Sequence, residues 1–171
     1  MRPRFKGTGF SLIEVILAVG IFALTVPTML ALLAALGRQG AAGADAQVAQ
    51  RLPDAVRVEL ARLAQADFDG LSAHMPEMSA SLPPALELVA TRDGVRVHSR
   101  DYLPPTDGIA AADQYFLIEC WRFHEGPLRF DSSKAFLAVV VRVSWPYRLP
   151  DGGTTAAESR SQVRFTVVLN R

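Results

Sequence analysis

Residues 9–38 read GFSLIEVILAVGIFALTVPTMLALLAALGR, and this stretch divides the chain into two kinds of sequence. From Val15 through Gly37, 23 consecutive residues, no side chain ionises; Leu, Ala, Val and Ile dominate, and the next charge is Arg38. At about 1.5 Å per residue a helix of that length reaches roughly 34 Å, enough to cross a hydrocarbon core of about 30 Å. An ordinary core helix is shorter and carries polar residues on its outer face. Ahead of the run, Arg2, Arg4 and Lys6 give residues 1–9 a charge of +3, with no acid. Basic residues before the span and few after it favour a cytoplasmic N-terminus, with the chain beyond about residue 40 on the far side. The expectation is a single-pass membrane segment.

An ordinary secretory signal peptide is the competing reading. The basic start fits it, and Ala42-Gly43-Ala44 offers an Ala-x-Ala cleavage site. Two features oppose it. The apolar run exceeds the usual hydrophobic region of about 7–15 residues. Glu14 also stands at its leading edge, where an unpaired carboxylate entering lipid costs on the order of 2–3 kcal/mol or more. An acid in that position asks for a function and a partner.

Gly9-Phe10-Ser11-Leu12-Ile13-Glu14-Val15, behind a short basic leader and ahead of an apolar helix, resembles the type III signal of type IV pilins and type II secretion pseudopilins. The resemblance covers roughly residues 1–65. It implies that a prepilin peptidase cuts between Gly9 and Phe10 and then N-methylates Phe10. It also implies that Glu14, fifth in the mature chain, pairs with the terminal amine of a neighbouring subunit in a filament. Opposite charges close together in a medium of low dielectric attract far more than in water, so such a pair sets register during assembly. The basic residue nearest the cut is Lys6, with Gly7 and Thr8 between it and Gly9. Pro27, which lacks an N–H, is expected to kink or locally open the helix; the family's helix-kinking proline lies a few residues later.

Beyond the span, Gly37, Gly40 and Gly43 either loosen the helix at its membrane exit or form a plain linker. Val48, Leu52, Val56, Leu60 and Leu63 recur at helical spacing and make one apolar face, with Pro53 kinking this helix or starting a new one. Residues 67–85 read as a loop. Asp67-Phe68-Asp69-Gly70 hints at a calcium loop, but the EF-hand spacing fails at Met78, and a helix-ending turn is the better reading. Leu86–Thr91 and Val95–Ser99 flank Arg92-Asp93-Gly94 as a hairpin, and residues 101–114 form another loop. Tyr115–Phe123, Ala135–Trp145 and Gln162–Leu169 read as further strands, with Val139, Val141 and Val143 on one face and Val163, Phe165 and Val167 facing alongside. The expected fold is α+β: a long N-terminal helix, membrane-spanning in its first half, packed on a small and mostly antiparallel pilin-like sheet. The segments are a leader (1–9), a transmembrane or filament-core helix (10–37), its amphipathic continuation (38–65) and a β-rich head (66–171).

No catalytic constellation emerges. His74, His98 and His124 show no metal-ligand spacing, and Cys120 sits in the apolar run Ile118-Glu119-Cys120-Trp121, as a small hydrophobe would. There is no nucleophile elbow, P-loop or dinucleotide fingerprint. Trp121 and Trp145 read as core or interface residues, and Glu119, Arg122, Arg142 and Arg164 as residues on the solvent faces of strands. No enzyme activity, cofactor or metal is implied. The whole chain holds 18 basic and 17 acidic residues, which argues against a dedicated nucleic-acid binder. The partners that the resemblance implies are the prepilin peptidase, other pilin or pseudopilin subunits, and the cytoplasmic membrane through residues 15–36. A single-pass or secreted binding domain is the alternative.

Overall fold

A computed structural model describes residues 11–79, 84–131 and 133–171. It divides into two compact units, Met1–Ala44 and Asp45–Arg171. Helix α1 runs from Leu12 to Ala66. The helix is continuous through Pro27, Gly37, Gly40, Gly43 and Pro53, so Pro53 does not start a new helix and the glycines are not a non-helical linker. A proline removes one helical hydrogen bond, and the strong helix formers around each of these residues keep their own.

In the first unit fourteen large apolar side chains between Leu12 and Leu36 are at least half exposed. The segment is long and apolar enough to cross a membrane, with a mean hydropathy of 2.4 over its most apolar window. The threonines within it bond back to their own helix: Thr25 Oγ1 donates to Ile21 O at 2.9 Å, and Thr28 Oγ1 to Thr25 O at 2.8 Å. Their hydroxyls therefore place no unsatisfied donor in an apolar surround.

The second unit is a helix on a sheet. Asp45, Ala49, Leu52, Val56, Glu59, Leu60 and Leu63 form the buried side of α1, at the spacing of one helical face. The sheet holds β1 (Leu86–Ala90), β2 (Val97–Ser99), β3 (Phe116–Arg122), β4 (Phe136–Trp145) and β5 (Ser161–Asn170), in the order β2-β1-β3-β4-β5 with every pair antiparallel. Alternation puts Leu86, Leu88, Phe116, Ile118, Cys120 and Leu137 into the same core as α1. Val139, Val141 and Val143 are fully buried in that core and pair directly with Val167, Phe165 and Val163. The long helix on an antiparallel sheet is the α+β arrangement that the strand and helix patterns anticipate.

One segment differs from expectation. Residues 67–85 are not all loop, because α2 (Phe68–His74) follows α1 directly. Asp67 is its N-cap, accepting from Gly70 N at 2.8 Å, and Leu71 and Met75 are buried beneath it. The aspartate that suggested a calcium loop or a terminating turn is thus a capping group. Across the sheet, Val89, Ile109, Leu117 and Tyr147 make a second small cluster, so that face is partly covered by residues from the long loops.

Candidate functional site

The site singled out by the sequence begins at the first turn of α1. Ser11 N donates to Glu14 Oε2 at 2.8 Å, Ser11 Oγ donates to the same oxygen at 2.9 Å, and Glu14 N donates to Ser11 Oγ at 3.3 Å. This reciprocal arrangement is a capping box, a serine answered three residues later by a glutamate. The motif is written in Ser11-Leu12-Ile13-Glu14, and a search for helix starts would have found it. Glu14 has no cation paired with it among the described residues. Gly9 and Phe10, the expected cleavage and methylation positions, lie outside the described residues. Pro27 sits in the middle of the exposed apolar segment.

The second unit holds two carboxylates that fasten α1 to the sheet. Asp45 accepts from Arg92 Nε at 3.1 Å and from the Tyr115 hydroxyl at 2.6 Å, while the Arg92 guanidinium lies 4.9 Å from the Tyr115 ring centre. Burial, then the hydrogen bond to Asp45, push the Tyr115 hydroxyl up to about 12. Glu59, only 5% exposed, accepts from Arg62 Nε at 2.7 Å and from Ser99 N at 3.0 Å. These are buried charges made tolerable by paired donors, and they fix how α1 seats on the hairpin. Sequence reasoning missed both, because their partners lie up to 70 positions away.

The remaining chemistry-bearing residues are spread over the second unit. Cys120 is free and buried, and burial pushes its thiol upward, away from the nucleophilic thiolate. His74 is in the last turn of α2 rather than a loop, stacked on Tyr102 with ring centres 4.6 Å apart. His98 lies within β2. His124 follows β3, and its Nδ1 lies 2.8 Å from Glu77 Oε2; this hydrogen bond is the chief reason Glu77 titrates below the usual glutamate range. Among the described residues no three His, Cys, Asp or Glu side chains are grouped to hold a metal ion. Trp121 and Trp145 are buried. Glu119 and Arg142 are half-buried partners, bonded twice at 2.7 and 2.8 Å across β3 and β4, with Arg142 stacked over Trp121. Arg122 reaches Glu77 at 3.4 Å, and Arg164 is exposed on β5.

No protein-family model matches the chain, and no curated protein or solved structure matches it.

Proposed function

We propose that the chain is a minor pilin or pseudopilin-like subunit of a type IV pilus or type II secretion filament. In this reading the precursor enters the bacterial inner membrane with its N-terminus cytoplasmic. The prepilin peptidase cuts between Gly9 and Phe10 and methylates Phe10. Residues 10–37 then leave the bilayer for a filament core, and the head is carried outside the cytoplasm. The observation that carries the reading is Gly9-Phe10-Ser11-Leu12-Ile13-Glu14-Val15, set immediately before an apolar helix that no other part of the described chain covers. Lipid and neighbouring helices are the two surrounds that suit such a surface, and a subunit of this class meets both in turn.

Glu14 supplies the specificity. Left alone in lipid its carboxylate is costly, and the amine freed on Phe10 of an adjacent subunit is the cation that offsets the cost. The chain's part in this scheme is interaction, with no bond made or broken by its own residues.

The secretory-signal alternative fits the helix less well. Ala42-Gly43-Ala44 lies inside α1, and cutting there would free Asp45, whose carboxylate is already tied to Arg92 and Tyr115. Intact mass and N-terminal sequencing, after expression with a prepilin peptidase, separate the readings. N-methyl-Phe10 at the start is the expected result. A start at Asp45, or an unprocessed chain, would overturn the assignment.

A further inference from the structure

The two edges of the sheet are treated differently. At one edge β2 is three residues long, and its pairing with β1 leaves Val97 and Ser99 directing their backbone groups outward. The Ser99 N–H is taken by the buried Glu59 carboxylate at 3.0 Å, so α1 occupies one outward donor of this short edge. At the other edge β5 is ten residues long, with no proline and one charge, Arg164.

Arg171 N donates to Ala135 O at 2.8 Å, and the β4–β5 register continues from that point without a bulge. Alternation then turns the backbone groups of the odd-numbered residues of β5 toward β4. Gln162, Arg164, Thr166, Val168 and Asn170 direct theirs away, and all five side chains are exposed. Those outward backbone groups have no partner among the described residues. An edge this long and unblocked is a ready template for another strand, and proteins that do not use such an edge usually guard it.

Beside the edge there is room for the side chains of an added strand. Two adjoining grooves of about 430 and 270 Å³ run between β5 and α1. Their walls include Arg57, Ala61, Ala64, Phe68 and Val168.

Charge indicates what kind of strand fits. Across β3, β4 and β5 the register places Glu119, Arg142 and Arg164 in one row. Glu119 pairs with Arg142, so Arg164 faces a cation already satisfied elsewhere. Directly opposed like charges destabilise a sheet, and opposed unlike charges stabilise it. Arg164 and Arg57 have no ion-pair partner among the described residues. The row continues through Glu87 on β1, and the vacant place at its other end, beyond Arg164, is suited to an acid. A second copy of β5 cannot supply it, since residues 161–170 contain neither Asp nor Glu.

We propose that β5 receives an extended segment of a different polypeptide by strand addition, with an Asp or Glu of that segment opposite Arg164 and β-branched residues on either side of it seated in the grooves beside α1. Backbone bonding gives such a segment its affinity, and the acid opposite Arg164 gives it its register. The inference does not rest on the N-terminal motif and holds for any anchored protein with this edge.

The test uses the full-length chain in lipid nanodiscs, panned against a display library of random seven-residue peptides with empty discs as counter-selection. Selected peptides should carry Asp or Glu at one fixed position, flanked by Val, Ile or Thr. Panning on Arg164→Glu should exchange that acid for Lys or Arg. Thr166→Pro deletes an outward N–H while leaving the β4 pairing, and should weaken a selected peptide at least tenfold; circular dichroism checks that the head remains folded. Backbone N-methylation of the selected peptide provides a second measurement on the unaltered protein. Methyls along one edge should abolish binding and methyls along the other should not. Enrichment no greater than on empty discs, enrichment without an acid, an unchanged preference on Arg164→Glu, or equal tolerance of methyls on both edges would each overturn the proposal.

Discussion

Glu14 and Ser11 form a closed local pair at the start of α1, with the carboxylate accepting from both the backbone and the hydroxyl of Ser11. A capping carboxylate retains its charge and has lone pairs to spare, so it can still receive the amine of a neighbouring subunit. Glu14→Ala should leave cleavage after Gly9 largely intact, because the scissile bond is several residues away. Incorporation into filaments should fall by about tenfold or more, which corresponds to about 1.4 kcal/mol of lost pairing. Cross-linking to partner subunits reads this directly, and normal incorporation would refute the charge-pair mechanism. A second prediction at this scale concerns Tyr115, whose hydroxyl is pushed from 10.0 to about 12 by burial and by Asp45. Below pH 10 the folded and unfolded chains both hold this proton, and the stability it confers is fully present. Between pH 10 and about 12 the unfolded chain releases the proton while the folded chain keeps it, so stability falls as pH rises. The melting advantage of the wild type over Tyr115→Phe should be constant below pH 10 and shrink above it. Parallel pH profiles would show that Tyr115 is not held neutral by the fold.

Among the elements, the β1–β2 turn bears most directly on how α1 is seated. Gly94 has a φ of +71°, a region other residues enter at a cost. A Cβ built there would lie 2.8 Å from Val48 Cγ1 and 3.3 Å from Leu52 Cδ2, both on α1. Gly94→Ala therefore combines backbone strain with a clash against the helix and should destabilise the head by about 1–3 kcal/mol. Urea titration of the wild type and the variant measures it, and an unchanged midpoint would contradict the tight fit. This turn was legible in the sequence as Arg92-Asp93-Gly94 between two β-rich runs, and so were β3, β4 and β5 from their valine and aromatic content. The rest was hidden for identifiable reasons. Pro53 read as an interruption because propensity is local, whereas the buried face from Asp45 to Leu63 is held helical by its packing on the sheet. Helix α2 was hidden because Asp67-Phe68-Asp69-Gly70 suits a turn as well as a cap. The Asp45 network left no local signal, since its donors Arg92 and Tyr115 come from distant segments, and of the Glu59 network only the Arg62 pair three residues on is local, while the Ser99 N–H is 40 positions away.

In the whole molecule, cohesion belongs to the second unit. Every buried member of the main core, from Ala49 to Leu169, lies within Asp45–Arg171, and the exposed apolar side chains of Leu12–Leu36 contribute to none of it. Removing the apolar segment should therefore remove the need for detergent and leave the head's stability in place. A chain of residues 38–171 keeps Asp45 with its Arg92 and Tyr115 partners, and it keeps Ala49. It should be monodisperse in buffer and melt within about 3 °C of the full chain, a spread worth about 1 kcal/mol for a domain of this size. A chain of residues 50–171 loses Asp45 and Ala49 together and leaves the Tyr115 hydroxyl and the Arg92 guanidinium without their acceptor. Loss of one partner of a buried pair costs about 3–5 kcal/mol when both are fully buried, and Arg92 is exposed enough that about 2–3 kcal/mol is the fitting expectation. That is a drop of roughly 4–12 °C at about 2–4 °C per kcal/mol. Thermal melts of the two truncations side by side decide the matter. Equal midpoints would mean that Asp45 does not anchor the helix. An early melt of residues 38–171 would mean that the apolar segment supports the head after all.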